Sequence, residues 1–178
     1  MNLANKLTVF RVVLVPFYVM FMLYDFTAYS RYIALGIFVI ATITDKLDGT
    51  IARKYNMITS FGKFMDPIAD KLLVCSALVC LTALGEIPAW VVITIIAREF
   101  IISGIRIIAA EGGTAIAASA WGKSKTVAQM VMTIVIMADI GPLYIAEQIL
   151  IYLSLALTVI SAADYLIKNK NVLTFKDK

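Results

Sequence analysis

D45-K-L-D48-G49-T-I-A52-R53, eight further residues, then G62-K-F-M-D66-P-I-A-D70: this stretch decides how the chain is read. It lies within runs that are otherwise apolar, where a carboxylate is expensive and marks a functional site by default. Asp45 and Asp48 are spaced i,i+3 and Asp66 and Asp70 i,i+4, so each pair shares one helix face. Two faces with two carboxylates each form a cage of hard oxygen ligands, and a divalent cation is its natural occupant. Gly49, Ala52 and Gly62 are small where helices must approach or a flat ligand must lie against backbone. Arg53 adds a planar fork suited to bidentate phosphate binding. Metal, arginine and small residues together read as a site for a nucleotide diphosphate. Acids at an interfacial helix end can also simply neutralise lysines, here Lys46, Lys63 or Lys71. Four of them on two helices, with an arginine and glycines at fixed offsets, make that reading the weaker one.

Composition sets the surroundings. Of 178 residues, 61% are hydrophobic and only 16% charged, and the mean hydropathy is +0.89. A soluble domain averages about 45–50% apolar and about 25% charged, so one integral membrane domain spanning 1–178 is expected. Lys6, Thr8 and Arg11 interrupt the first residues and no small-residue cleavage site follows, so the N-terminus is expected to be retained. The absence of histidine removes Ser-His-Asp chemistry and imidazole-based zinc sites. Cys75 and Cys80 are five apart on one helix, do not share a face and read as small core residues. The net charge of +4 suits anionic lipid head groups, and no clustered basic groove suggests nucleic acid.

The apolar runs divide into six predicted transmembrane helices, at 9–24, 32–53, 60–84, 88–110, 121–140 and 143–166, with 1–8 as a short N-terminal interfacial segment. Gly85-Glu86-Ile87-Pro88, Gly112-Gly113 and Gly141-Pro142 are the turn signals. The fold class is therefore all-α and polytopic. Lys and Arg concentrate at the N-terminus, around 46–63, around 98–125 and at the C-terminus, whereas the opposite side has Arg31 and little else. The positive-inside rule then places both termini, and the aspartates, on the cytoplasmic face of the cell (plasma or inner) membrane.

The pattern D-x2-D-G-x2-A-R-x8-G-x3-D-x3-D, matched at every fixed position over 26 of the 178 residues, resembles that of the CDP-alcohol phosphotransferase family. The resemblance implies a six-helix membrane fold that commonly dimerises, a CDP-linked lipid donor (usually CDP-diacylglycerol), a small alcohol acceptor, and Mg2+ or Mn2+. Carried over, it implies Asp45, Asp48, Asp66 and Asp70 as metal ligands, with Asp70 also the general base for the acceptor hydroxyl. It implies CDP-lipid contacts for Asp48, Gly49, Ala52, Arg53 and Gly62, and for Thr8 and Arg11 in N5-K-L-T8-V-F-R11.

The motif does not choose the acceptor. Arg98 and Arg106, eight apart on one span, lie on nearly the same face, and Lys123 and Lys125 follow on the same side. Together they form a candidate acceptor-phosphate site. The bland alternative, positive-inside anchoring, is favoured for Lys123 and Lys125 taken alone and disfavoured for the deeper arginines. A97-R98-E99-F-I-I-S-G-I-R106 and W121-G122-K123-S-K125-T126 resemble the branch of the family whose acceptor is sn-glycerol 3-phosphate. Branches using an inositol phosphate or phosphatidylglycerol are the alternatives. Asp164 has two readings, a pair with Lys168 or a place in the acceptor cavity, and Tyr18 and Tyr165 are read as interfacial-belt residues. A cation or proton transporter is the rival class, but its acids would be spread through the bilayer depth and its halves repeated.

Overall fold

The computed structural model describes residues 3–54, 60–111 and 119–169, with side chains described at 5–45, 65, 68–109 and 119–169. Every regular element among them is helical: α1 Leu3–Leu23, α2 Ser30–Lys54, α3 Ser60–Ala83, α4 Ala89–Glu111, α5 Ala120–Ala138 and α6 Tyr144–Lys168, the last preceded by a 3-10 turn at Gly141–Leu143. Five of the six follow the expected bounds within a few residues. The first does not, because helix runs unbroken from Leu3 where an interfacial segment at 1–8 was expected. Lys6, Thr8 and Arg11 interrupt the hydropathy of that stretch, not its helical geometry.

Local chemistry explains where the helices begin and end. Thr27 and Ser30 form a reciprocal cap ahead of α2: the Tyr29 amide donates to Thr27 Oγ1 (3.3 Å) and the Thr27 amide to Ser30 Oγ (2.9 Å). α3 ends in a Schellman motif. Gly85 takes φ +78°, its amide donates to the Thr82 carbonyl, and the Glu86 amide reaches back to Leu81. Ser119 caps α5 through its Oγ and the Gly122 amide at 3.1 Å. At the far end of α5, Asp139 adopts φ 49°, a left-handed conformation that aspartate tolerates better than most residues.

The chain forms two compact units, one of residues 1–86 with 136–139, the other of 87–135 with 140–178. In the first, α1 packs against α2 and α3. Tyr18 and Phe38 are fully buried there with ring centroids 6.0 Å apart, and the Tyr18 hydroxyl donates to Met137 Sδ (3.7 Å). Tyr18 is thus a core residue, not the interfacial-belt residue read from sequence. Arg31 closes the same unit: its guanidinium pairs with both Glu86 oxygens (2.6 and 2.8 Å) and donates to the carbonyls of Met137 (2.9 Å) and Ile136 (2.6 Å). The isolated cation on the Lys/Arg-poor side is neutralised where it stands.

The distribution of apolar side chains suits hydrocarbon. On α1 the stripe Asn5, Thr8, Arg11, Val15, Tyr18 and Met22 is buried, whereas Phe10, Val13, Phe17 and Met20 are exposed. On α6 the buried stripe contains Ser154, Thr158 and Ser161 while Ile149, Leu153 and Ile160 face out. In water such an exposed apolar surface would aggregate, whereas in lipid it is matched by its solvent. Among the described residues, two stretches, Asn5–Leu23 and Gly141–Lys168, are long and apolar enough by themselves to cross a membrane. The intervening helices carry the charges of the candidate site.

Candidate active site

The first unit carries the acidic residues of the motif. Asp45, four residues after the buried Ala41, is half-buried near the end of α2. Its Oδ1 lies 2.6 Å from Nη1 of Arg11, whose side chain is 0% exposed. Arg11 comes from the polar end of the α1 stripe, one turn beyond the buried Thr8. Thr8 and Arg11, two of the seven residues that the resemblance assigned to the CDP-lipid, are therefore inside the helix packing, and Arg11 grips one of the expected metal ligands. Asp70 is half-buried on α3, next to buried Ala69 and one turn before buried Leu73. Asp48, Gly49, Ala52 and Arg53 belong to the last turns of α2, and Gly62 and Asp66 to the first turns of α3. The side-chain placement of these six lies outside the described residues. No three carboxylates, thiols or imidazoles meet among the described residues. The chemistry of the donors nonetheless fits a hard divalent ion, because Asp45 and Asp70 offer only oxygen and the chain has no histidine to offer nitrogen.

The second unit builds a cationic cluster. Lys125 is buried (1% exposed), and its Nζ donates to Oε1 of Glu99. Arg98 Nη1 lies 3.3 Å from that same oxygen. Arg98 has a side-chain exposure of 13%, and its buried Nε has no hydrogen-bond partner among the described residues. Gly122 faces this arginine: a Cβ there would sit 3.8 Å from Arg98 Nη2. Buried Tyr165 on α6 lies within electrostatic reach of Arg106 and Arg98, and its hydroxyl has no partner among the described residues. Gln129, one turn along α5 from Lys125, is also buried, with an unpartnered Nε2.

This geometry regroups the four predicted acceptor cations. Arg98 and Lys125 meet through Glu99, while Arg106 and Lys123 are exposed. Lys123 and Lys125 behave differently because helix positions i and i+2 are about 200° apart around the axis. Reading them as equivalent anchors fails for Lys125. Glu99 is the member that sequence reasoning passed over, although its place beside Arg98 in an apolar run was a visible signal. Tyr165 is buried, not part of an interfacial belt. Asp164 pairs with Lys168 (2.6 Å), the first of its two readings, although its buried Oδ2 has no partner among the described residues.

Comparison with known proteins identifies the family. A profile of the CDP-alcohol phosphatidyltransferase family matches residues 1–160. The chain is 42% identical over 167 residues to a probable phosphatidylglycerophosphate synthase of Mycobacterium tuberculosis, covering 92% of this chain and 79% of that one. It is 37% identical over 183 residues to the CDP-diacylglycerol–glycerol-3-phosphate 3-phosphatidyltransferase of Bacillus subtilis, covering 94% and 95%. It is 42% identical over 173 residues to the Haemophilus influenzae protein of that same name, covering 93% and 91%. With the aspartate motif complete and the match spanning most of its length, the chain belongs to the CDP-alcohol phosphatidyltransferase family.

Proposed function

We propose that this protein transfers the phosphatidyl group of CDP-diacylglycerol to sn-glycerol 3-phosphate, giving phosphatidylglycerophosphate and CMP. The observation that carries the choice of acceptor is the Arg98–Glu99–Lys125 cluster, two buried or nearly buried cations sharing one carboxylate. Arg98 and Lys125 bring two cationic donors to one place, the chemistry that recognises a phosphate. The names of the relatives point to that acceptor as well. The chain acts as one membrane domain with six crossings, both termini and the site on the cytoplasmic face of the cell membrane, and functions as a homodimer. The Lys/Arg asymmetry of its helix ends supports the orientation.

Arg98 and Lys125, with the exposed Arg106 and Lys123, hold the acceptor phosphate. The unpartnered donors Arg98 Nε, Tyr165 Oη and Gln129 Nε2 are available to hydrogen-bond it. Asp45, Asp48, Asp66 and Asp70 hold one or two Mg2+ or Mn2+ ions, which when bound supply positive charge to the diphosphate and to departing CMP. Asp70 accepts the proton of the acceptor hydroxyl as its oxygen attacks the β-phosphorus. A phosphoester forms, the phosphoanhydride bond breaks, and CMP carries away the electron pair. Arg53 and the small residues Gly49, Ala52 and Gly62 position the CDP portion.

The test is CMP release by purified protein with CDP-diacylglycerol, Mg2+ and single acceptors: glycerol 3-phosphate, inositol 1-phosphate, inositol, serine and phosphatidylglycerol. Chelator-sensitive CMP with glycerol 3-phosphate alone is the expected result. Release with another acceptor instead keeps the family and overturns the acceptor, and no release with any overturns the transferase reading.

A further inference from the structure

Arg11 invites a different role from lipid binding. Its side chain is fully buried and its Nη1 lies 2.6 Å from Oδ1 of Asp45, which is itself about one-third exposed. A guanidinium so placed is held by the packing of α1 against α2 and leaves little freedom to the carboxylate it contacts. With Oδ1 paired to the arginine, Oδ2 is the oxygen this aspartate would offer to a cation. That constrains how Asp45 can ligate. A carboxylate offering one oxygen suits Mg2+ and Mn2+, which favour six ligands in octahedral geometry. Ca2+ takes six to eight oxygens and often uses both of one carboxylate.

We propose that Arg11 is a positioning residue for ion selectivity: by occupying Oδ1 of Asp45 it limits that aspartate to one-oxygen ligation and so disfavours Ca2+ against Mg2+ and Mn2+. The inference rests on Asp45 being a metal ligand, as in the reading above. Partners of metal-bound ligands commonly tune a site as strongly as the ligands do. Removing a positive charge changes the affinity for every divalent ion in the same direction, so the informative quantity is the ratio of affinities for two ions of equal charge.

The experiment measures Mn2+ binding to purified protein by electron paramagnetic resonance, without nucleotide or acceptor, and then its displacement by Ca2+. Wild type, Arg11→Gln, Arg11→Met and Arg11→Lys are compared, with circular dichroism to confirm folding. Methionine keeps the length of the stem without a buried polar end and is the fallback should glutamine disturb the packing. Opening Oδ1 to the ion is expected to improve Ca2+ competition by about tenfold in Arg11→Gln or Arg11→Met. Lysine, which can still occupy Oδ1, is expected to hold the ratio near wild type. An unchanged ratio in either folded neutral variant overturns the proposal. An unchanged ratio together with weaker binding of a soluble CDP probe at saturating Mn2+ returns Arg11 to the diphosphate. If wild type binds no Mn2+, the metal reading itself falls, a result distinct from loss of selectivity.

Discussion

Arg31 and Arg98 are both arginines set among apolar helices, and their surroundings differ in kind. Arg31 meets a two-oxygen grip from Glu86 and two helix-end carbonyls, all between 2.6 and 2.9 Å. Arg98 Nη1 reaches, at 3.3 Å, a carboxylate that Lys125 also uses, and its buried Nε has no partner among the described residues. The first arginine is occupied by the protein and holds architecture together. The second keeps donors unmatched, which is costly in a dry interior unless something else arrives to accept from them. A charge whose donors are all met by its own chain reads as structure, and one left partly unmet reads as a binding site.

Replacing Arg98 by alanine tests the second half of that contrast most severely. The acceptor KM is expected to rise by about 10–100-fold with the donor KM little changed, since charged hydrogen bonds are worth roughly 1.5–3 kcal/mol each. A large fall in thermal stability with equal changes in both KM values would make Arg98 structural after all. Lys125→Ala should behave in the same manner, with some loss of stability added because it leaves Glu99 short of a partner.

Arg31→Ala should give the mirror image. The half-buried pair and two capped carbonyls are worth about 2 kcal/mol together, which for a chain of this size lowers the thermal midpoint by about 4–8 °C. Both KM values should stay within about twofold on that ground, because no substrate role is needed to account for the contacts Arg31 makes. A shift in acceptor KM without loss of stability would break the comparison.

Smaller effects sharpen it. Lys123→Ala should change the acceptor KM by no more than about threefold, as expected for an exposed charge. Gly122→Ala places a methyl in ordinary contact with Arg98 and Ser119, at 3.8 and 3.6 Å. Helix propensity then favours the variant by up to about 1 kcal/mol, so the thermal midpoint should rise slightly with the acceptor KM unchanged. A marked KM increase there would mean that Arg98 needs the open space beside Gly122 to move.

Much of the architecture was legible because it is local. The helix bounds follow from apolar runs and from caps such as Thr27 with Ser30, Ser119 and Gly85, each a matter of neighbours within a few residues. The first helix starts ahead of the span read from hydropathy because polar residues such as Asn5, Thr8 and Arg11 can line the inner face of a membrane helix. The aspartate motif was legible as fixed spacing on two helices, and it anticipated the family found by comparison.

Sequence alone thus determined the helical elements, the oxygen-donor character of the site and the concentration of cations at particular helix ends, all of which depend on residue type and short spacing. Only the tertiary structure decided which charges meet. It set Arg11 on Asp45, Lys125 rather than Lys123 on Glu99, and Arg31 on the end of α5. It also took Tyr18 and Tyr165 out of the interfacial belt and into the interior. Those pairings depend on how each helix is rotated against its neighbours, and rotation is fixed by packing over whole faces, which short spacing does not encode.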